Sequence, residues 1–209
     1  KWTNGGHKIH TTNNSKEFQH NIALLFGFDS NDLLHKLKYF KQNNFLRQDI
    51  IGSDGWESFE LLFKVLNNTI NYVILRNFEG FFDNIIFDAH LDVDLLVENI
   101  EEAVLILNAR KKYPFTNRVA YEVLINGNIV DFDLRCVGDN YMEQKWQKNI
   151  LNNKFLFNKL YYRPSNEDYL YSLIYHSLIH KEEISSDYLE RFEYLFEINN
   201  HIIDKIDRQ

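Results

Sequence analysis

The feature that most constrains this chain is a short stretch in which aspartates alternate with aliphatic residues, Leu91-Asp92-Val93-Asp94-Leu95-Leu96-Val97. A period of two predicts a β-strand with Asp92 and Asp94 on one face and the odd-numbered aliphatic side chains on the other. Two neighbouring carboxylates raise each other's pKa unless a cation or hydrogen-bond donors offset the repulsion. A divalent cation explains the pattern, Mg²⁺ or Mn²⁺ because the ligands are hard oxygens. An edge strand with a solvated polar face explains it equally well.

A second acidic strand follows downstream, in a predicted hairpin. Asn126-Gly127 separates two alternating runs, and this dipeptide is the strongest short-range hairpin signal because both central residues of the turn need positive φ. On the returning strand Asp131, Asp133 and Arg135 share one face, and the apolar residues between them are predicted to pack in the core. The sequence therefore predicts an Asp-x-Asp strand, a helix, and a hairpin that carries another acidic face.

These residues resemble the nucleotidyltransferase fold of the DNA polymerase β-like superfamily, over roughly residues 72–135. In that family, two carboxylates on one strand and a third on a neighbouring strand hold two Mg²⁺ (or Mn²⁺) ions for attack on a nucleotide phosphate. The resemblance implies that Asp92, Asp94 and Asp133 are catalytic and bind the metal, with Asp131 as a further or alternative ligand. We expect their oxygens to reach a common ion at roughly 2.0–2.6 Å.

One departure from the family pattern concerns the nucleotide donor. The family places Gly-Ser ahead of the Asp-x-Asp strand to bind phosphates, whereas this chain has Arg76-Asn77 after an apolar strand. Either Arg76 and Asn77 take over the phosphate contacts, or the donor differs, or activity has been lost. Arg135 and His90 are further candidates for phosphate binding. An ion pair of Arg76 with a carboxylate such as Glu79 is the structural alternative.

Composition limits the partners that the chain can bind. The net charge of −7 argues against binding extended nucleic acid, because phosphate contacts need a basic face. An acidic, aromatic-rich chain suits a nucleotide-type donor and a small-molecule or sugar acceptor better. No apolar run reaches about 18 residues, so we expect no membrane span and a cytoplasmic protein. The chain begins at Lys1 rather than Met, which suggests part of a larger multidomain protein.

We predict an α+β (α/β) fold in which helices precede and follow a small mixed sheet that bears the acidic strands. Residues 1–70 are predicted to form an N-terminal helical segment, 71–160 the nucleotidyltransferase-like core, and 161–209 a C-terminal helical segment. The predicted helix starts are marked by the N-caps Ser15 and Ser30, the capping box of Asp54 with Glu57, the caps Asn99 with Glu102 and Ser165 with Asp168, and by Gly138-Asp139-Asn140.

Two histidines and one cluster of basic residues are interpreted as structural rather than as parts of a binding site. His176 and His180 stand at i, i+4 on a predicted helix, but the Glu beside the first His that marks a zinc protease is absent. Core or rim positions are therefore favoured over a metal pair. Arg110-Lys111-Lys112 is interpreted as the solvated end of a helix, where cations suit the dipole, rather than as a phosphate clamp. The single Cys136 excludes an internal disulfide framework.

The function expected from these patterns is Mg²⁺-dependent transfer of a nucleotidyl or phosphoryl-linked group to a small-molecule or sugar hydroxyl. Superfamily branches resembling phosphocholine- and ribitol-phosphate transferases modify surface glycans, so polysaccharide biosynthesis is one setting. The alternative is a catalytically degenerate domain that serves as a scaffold or antitoxin-like partner, which the missing Gly-Ser favours and the acidic strands oppose. Because clustered carboxylates repel, we expect Asp94→Asn to leave the metal-free protein at least as stable.

Overall fold

The computed structural model describes residues 12–37, 49–78, 91–181, 183–184 and 186–206. The helices in these ranges are α1 (Ser15–Phe26), α2 (Ser30–Leu37), α3 (Phe59–Thr69), α4 (Ile100–Leu107), α5 (Gln144–Asn152), α6 (Asn166–Ile179) and α7 (Ser186–Ile206). The strands are β1 (Tyr72–Arg76), β2 (Asp92–Val97), β3 (Arg110–Lys111), β4 (Ala120–Ile125), β5 (Asn128–Cys136), β6 (Phe155–Phe157) and β7 (Tyr161–Arg163). None of the described helices is long and apolar enough to cross a membrane.

Strands β1 to β5 form one mixed sheet in the order β1-β2-β5-β4-β3, and β6 pairs with β7 separately. Strands β2 and β5 are parallel neighbours, whereas the other pairs of the larger sheet are antiparallel. Parallel neighbours need a crossover connection, and here it runs through α4, β3 and β4. The predicted α+β class with a mixed sheet is confirmed.

The β4–β5 hairpin has the turn that its sequence predicts. Ile125 pairs with Asn128, so Asn126 and Gly127 form a two-residue loop with φ of 50° and 74°. Positive φ at both central residues is the geometry of a type I′ turn, whose twist matches that of the flanking strands. Because the loop fixes the register, it also fixes the sheet face on which each aspartate of β5 lies.

One face of the larger sheet packs into the main hydrophobic core. Alternate residues of the two acidic strands belong to it, including Val93, Leu95, Phe132 and Leu134. Helices α3, α4 and α6 contribute to the same core, and its largest fully buried side chains are Tyr72, Tyr161, Phe59 and Phe63. Burial of this apolar surface is the main force that holds β2 and β5 side by side.

The opposite face of the sheet has an apolar half and an acidic half. In the apolar half, Leu75 and Leu96 pack against Ile150 and Leu151 of α5 in a smaller buried cluster. Nearer the N-terminal end of β2, the same face carries the aspartates of both acidic strands. The acidic half therefore stands on strands that are packed on the other side by the main core.

Two predicted N-caps near the N-terminus are wrong by one residue, although α1 and α2 begin at Ser15 and Ser30. α1 is capped by Asn14, not Ser15, and the Asn14 side chain accepts the amide of Glu17. At α2 the Asp29 carboxylate, not Ser30, accepts the first amides of the helix. Adjacent Ser, Asn and Asp residues are all good caps, and the backbone conformation decides which of them acts.

Two other predicted starts lie farther from the observed ones. α3 is capped by Ser58, whereas Asp54 belongs to the preceding turn. α5 begins at Gln144 after the cap Glu143, and residues 138–140 form turns before it. Both misplaced starts contain the turn-forming residues Gly and Asp, which favour caps and tight turns for the same local hydrogen-bonding reason.

Two starts are confirmed, and one predicted helix end is wrong. Asn99 caps α4 by accepting the amides of Glu101 and Glu102, and Ser165 caps α6. α4 ends at Leu107, so Arg110–Lys111 is strand β3 rather than a solvated helix end. The helix therefore stops earlier than its cations suggested, and these residues join the edge of the sheet.

The division into segments 1–70, 71–160 and 161–209 stays a prediction. Buried residues of the main core come from all three segments, for example Phe63, Val93 and Tyr161. Phe63 and Tyr161 are in direct ring contact, with centroids 5.8 Å apart. The predicted N-terminal and C-terminal segments thus meet in the same core as the acidic strands.

Candidate functional site

Parallel pairing of β2 and β5 brings four aspartates together on one sheet face, called the acidic face below. Asp92 lies opposite Asp131, and Asp94 lies opposite Asp133. Their strand neighbours on the other face are core residues, which fixes the direction of the carboxylates. The predicted ligands from two stretches of sequence are therefore neighbours in the fold.

A β-bulge at the end of β1 directs Arg76 to this acidic face. Ile74 pairs with Leu95, but the next pair is Arg76 with Asp94, so the register shifts by one residue. Simple alternation from Ile74 would have put Arg76 on the core face; an inserted residue reverses that direction. The guanidinium forms an ion pair with Asp94, and the two side chains are only 8% and 2% exposed.

Two carboxyl groups of the acidic face, those of Asp92 and Asp94, have a raised pKa. Burial raises the pKa of Asp94 to about 6, and the neighbouring Asp92 and Asp133 add to it, against the lowering effect of Arg76. Burial and the charge of Asp133 also raise the pKa of Asp92. Desolvation and like-charge repulsion thus outweigh the one buried cation, so the face still favours an additional positive charge.

Arg76 is held on its other side by a hydrogen-bonded chain. Its Nη1 donates to the Tyr141 hydroxyl at 3.0 Å, and that hydroxyl lies 2.8 Å from His176 Nδ1. Tyr141 can donate its proton only if Nδ1 carries none. This agrees with the pKa of His176, which burial, followed by the charge of Arg76, lowers to about 3. The core or rim interpretation of His176 therefore holds, with a neutral imidazole.

Asn77 also contacts carboxylates. Its backbone has a φ of 61°, and its Nδ2 lies 3.4 Å from Asp92 Oδ1 and 3.4 Å from Asp94 Oδ2. Arg191 of α7 donates to its Oδ1 at 3.1 Å. Arg76 and Asn77, predicted as phosphate contacts, are thus placed against the aspartates. The observed partner of Arg76 is Asp94, and Glu79 lies outside the described residues.

Two further cations lie near the acidic face: Lys112, which follows β3, and Arg135 of β5. Lys112 forms an ion pair with Asp131, with both side chains about one-third exposed. Arg135 was predicted as a phosphate contact. Its guanidinium lies over the Tyr141 ring, 4.0 Å from the ring centre, and its Nη1 is 3.8 Å from Asp139 Oδ2. Its Nε is buried without a hydrogen-bond partner among the described atoms.

An open cavity of about 430 Å³ lies over the outer part of the acidic face. Charged residues of both signs line it: Asp92, Asp131, Asp133, Lys112, Arg118 and Arg135. Sequence reasoning missed Arg118 and assigned Lys112 to a helix end. The available signal was the polar, aromatic connection between β3 and β4, because connections at a sheet edge commonly carry binding residues. A larger groove of about 820 Å³ contains Cys136 but none of the acidic-face aspartates.

The residues of the acidic face are chemically suited to a divalent cation. Asp92 and Asp133 have no ion-pair partner among the described residues, and they repel each other. Carboxylate oxygens are the ligands that Mg²⁺ and Mn²⁺ prefer. As the side chains stand, no three His, Cys, Asp or Glu residues of the described ranges form a ready metal-binding group. Asp94 and Asp131 are held by Arg76 and Lys112 instead.

The structure thus brings together most of the predicted site residues. Asp92, Asp94, Asp131 and Asp133 share the acidic face, with Arg135 beyond them on the same strand. The candidate His90 lies outside the described residues. No family model, curated protein or solved structure matches the chain. The functional interpretation therefore depends on the geometry of the acidic face and on the resemblance of its motifs.

Proposed function

We propose that this chain is a Mg²⁺- or Mn²⁺-dependent transferase of the nucleotidyltransferase fold. It would move a nucleotidyl or phosphoryl-linked group from a nucleotide-type donor to a small-molecule or sugar hydroxyl. The observation that carries this proposal is the parallel register of β2 and β5, which puts Asp94 beside Asp133 and Asp92 beside Asp131. Four carboxylates on one rigid face favour a role for cations, because such a cluster is unfavourable without them.

The roles of the aspartates follow from their surroundings. Asp92 and Asp133 lack a cation partner in the described ranges, so they are the first candidates to hold the metal, with Asp94 between them and Arg76. When bound, the metal would neutralise phosphate charge and lower the pKa of the acceptor hydroxyl. A carboxylate of β5, Asp133 or Asp131, would receive the proton of that hydroxyl.

The acceptor is proposed to be small. The net charge of −7 and the mixed charges of the cavity do not provide the continuous basic surface that a polynucleotide needs. A cavity of about 430 Å³ falls within the usual size of small-molecule sites. A sugar acceptor in surface polysaccharide synthesis is compatible with this volume.

A second candidate function is a catalytically degenerate domain that acts as a scaffold or antitoxin-like partner. The ion pair between Arg76 and Asp94 favours it, since a buried guanidinium occupies the position where a metal would otherwise neutralise Asp94. Asp133, which has no ion-pair partner among the described residues, and the raised pKa of Asp92 oppose it. Metal binding distinguishes the two candidates.

The test is Mn²⁺ titration by calorimetry on the wild type, Asp92→Asn, and the control Asp54→Asn. Asp54 is exposed and belongs to a turn outside the acidic face. We expect Asp92→Asn to weaken Mn²⁺ binding about tenfold or more, as loss of a charged oxygen ligand should. The same substitution should leave the metal-free protein as stable as before, because it relieves repulsion from Asp133.

Equal Mn²⁺ affinity in the wild type and Asp92→Asn would contradict the transferase proposal and favour the scaffold. A parallel screen of nucleoside triphosphates and CDP-linked donors by thermal unfolding identifies the donor. A ligand at 100 times its dissociation constant stabilises the folded state by about 2.7 kcal/mol, which gives a clear rise in Tm.

A further inference from the structure

The connection between β3 and β4, residues 112–119, supplies cations to a site otherwise dominated by aspartates. Its residues Lys112, Tyr113, Asn117 and Arg118 line the cavity over the acidic face. It joins two antiparallel strands at the edge of the sheet, so its ends are fixed by strand pairing. Lys111 Nζ donates to the carbonyl of Thr116 at 2.8 Å, and this hydrogen bond links β3 to the middle of the connection. Lys112 and Arg118 therefore line the cavity from a connection whose two ends are fixed.

A nucleotide donor needs such cations, because the acidic face by itself repels phosphates. Arg76 stands at the position expected for phosphate contacts, but its guanidinium is buried and contacts Asp94 and Tyr141. Withdrawing it to reach a ligand would leave Asp94 charged and unpaired in a buried position, which is strongly unfavourable. Phosphate recognition must come from groups that are more exposed.

Arg118 meets that requirement. Its side chain is exposed, and its guanidinium lies 5.0 Å from the centre of the Tyr113 ring. No carboxylate pairs with it in the part of the chain that the structure describes. A guanidinium stacked on an aromatic ring keeps its N–H donors free in the plane, where they can bind a phosphate through two parallel bonds.

Lys112 and Arg135 stand on either side of the aspartates of β5. Lys112 is paired with Asp131, but both side chains are about one-third exposed, so the pair can change partners at a small energetic cost. Arg135 has a long contact of 3.8 Å to Asp139, and its Nε has no hydrogen-bond partner among the described atoms. Both side chains line the same cavity as Arg118.

We propose that Lys112 and Arg118, with Arg135 opposite them, form a clamp for the di- or triphosphate of a nucleotide donor. The clamp replaces the Gly-Ser phosphate contacts that this chain lacks. This inference rests on the proposed function, since it names the donor-binding part of the same site. It assigns phosphate binding to the β3–β4 connection and leaves Arg76 the separate task of neutralising Asp94.

The test measures binding of inorganic pyrophosphate by calorimetry, once with chelator and once with saturating Mn²⁺. The variants are Arg118→Ala and Lys112→Met, and the matched control is Arg110→Ala. Arg110 is an exposed cation on β3 that lies outside the cavity. We expect each clamp variant to weaken pyrophosphate affinity about tenfold in both conditions, as loss of one charge-assisted bond should. Mn²⁺ affinity should not fall in either variant, and the pyrophosphate affinity of the control should stay unchanged.

The outcomes separate this inference from the proposed function. Unchanged pyrophosphate affinity in Arg118→Ala and Lys112→Met, or no pyrophosphate binding by the wild type, overturns the clamp even if Mn²⁺ binds at Asp92. Pyrophosphate binding that depends on Arg118, in a protein that binds no Mn²⁺, supports the clamp and overturns the metal-dependent transferase. An equal loss in Arg110→Ala would mean that only net charge matters, and it also overturns the clamp.

Discussion

Two ion pairs lie on the same acidic face and differ in how deeply they are buried. The inner pair, Arg76 with Asp94, joins side chains that are 8% and 2% exposed. The outer pair, Lys112 with Asp131, joins side chains that are 32% and 37% exposed. The inner cation also bonds to Tyr141, whereas the outer one faces the cavity.

This difference in burial indicates a division of labour. A buried pair cannot change partners without leaving a charge in a medium that solvates it poorly. An exposed pair loses little when water or a ligand replaces one member. We infer that the inner pair fixes the geometry of Asp94, and that the outer pair is the one a ligand can open.

The largest expected effect comes from breaking the inner pair. Arg76→Met should lower the free energy of unfolding by about 3–5 kcal/mol near pH 7.5, because it leaves Asp94 buried without its cation. The loss should be smaller at pH 5, since the pKa of Asp94 is about 6 and the carboxyl group can take up a proton there. Urea denaturation at the two pH values measures both. A loss that does not depend on pH would mean that Arg76 stabilises by packing alone.

The inner pair bears on one expectation from the sequence, which stays a prediction. Repulsion among the carboxylates suggested that Asp94→Asn would leave the metal-free protein at least as stable. With Arg76 bonded to Asp94, the same substitution leaves a buried guanidinium without its counter-charge. The test for relief of repulsion therefore belongs to Asp92, whose pKa is raised by burial and by Asp133.

A loss of stability of intermediate size is expected at acid pH. It comes from His176, which contacts the inner pair through Tyr141. The pKa of His176 is about 3 in the folded protein, lowered by burial and then by Arg76, against about 6.5 when unfolded. Its contribution to stability is complete above about pH 6.5 and is lost as the pH falls, because the unfolded chain takes up the proton first.

Between pH 7 and pH 5 this loss should be about 1 kcal/mol, after allowance for partial exposure of the ring. His176→Asn, which keeps a polar group near Tyr141, should show a shallower decline of unfolding free energy over that interval. His20→Asn is the control, because His20 lies outside the Tyr141 chain, near Glu102. Equal slopes in wild type and His176→Asn would refute the neutral, half-buried state of His176.

The smallest effect is expected from breaking the outer pair. Lys112→Met should leave the urea midpoint unchanged within error, because water reaches both side chains of the Lys112–Asp131 pair. Salt should likewise have little influence on the difference between the two proteins. A loss of stability comparable to that of Arg76→Met would show that the outer pair is structural, and the division of labour between the pairs would be wrong.

Features that depend on consecutive residues were predicted better than features that depend on residues distant along the chain. The hairpin at Asn126-Gly127 and the cap at Ser165 depend on a few consecutive residues, and both were predicted correctly. The start of α5 depends on which of several turn-forming residues the surrounding core selects, and it was predicted too early. The role of Lys112 was missed because its partner, Asp131, is distant along the chain.

The sequence by itself determined which aspartates of each strand lie on the same face of that strand, because side chains alternate along any strand. It also determined the hairpin that returns Asp131 and Asp133 to the sheet, through a turn that Asn-Gly strongly favours. Only the tertiary structure decided that β5 lies parallel to β2, and that a bulge directs Arg76 to Asp94 rather than to the core. The physical reason is that register and bulge depend on how two cores pack on opposite faces of the sheet, and that packing joins residues that are far apart in the sequence.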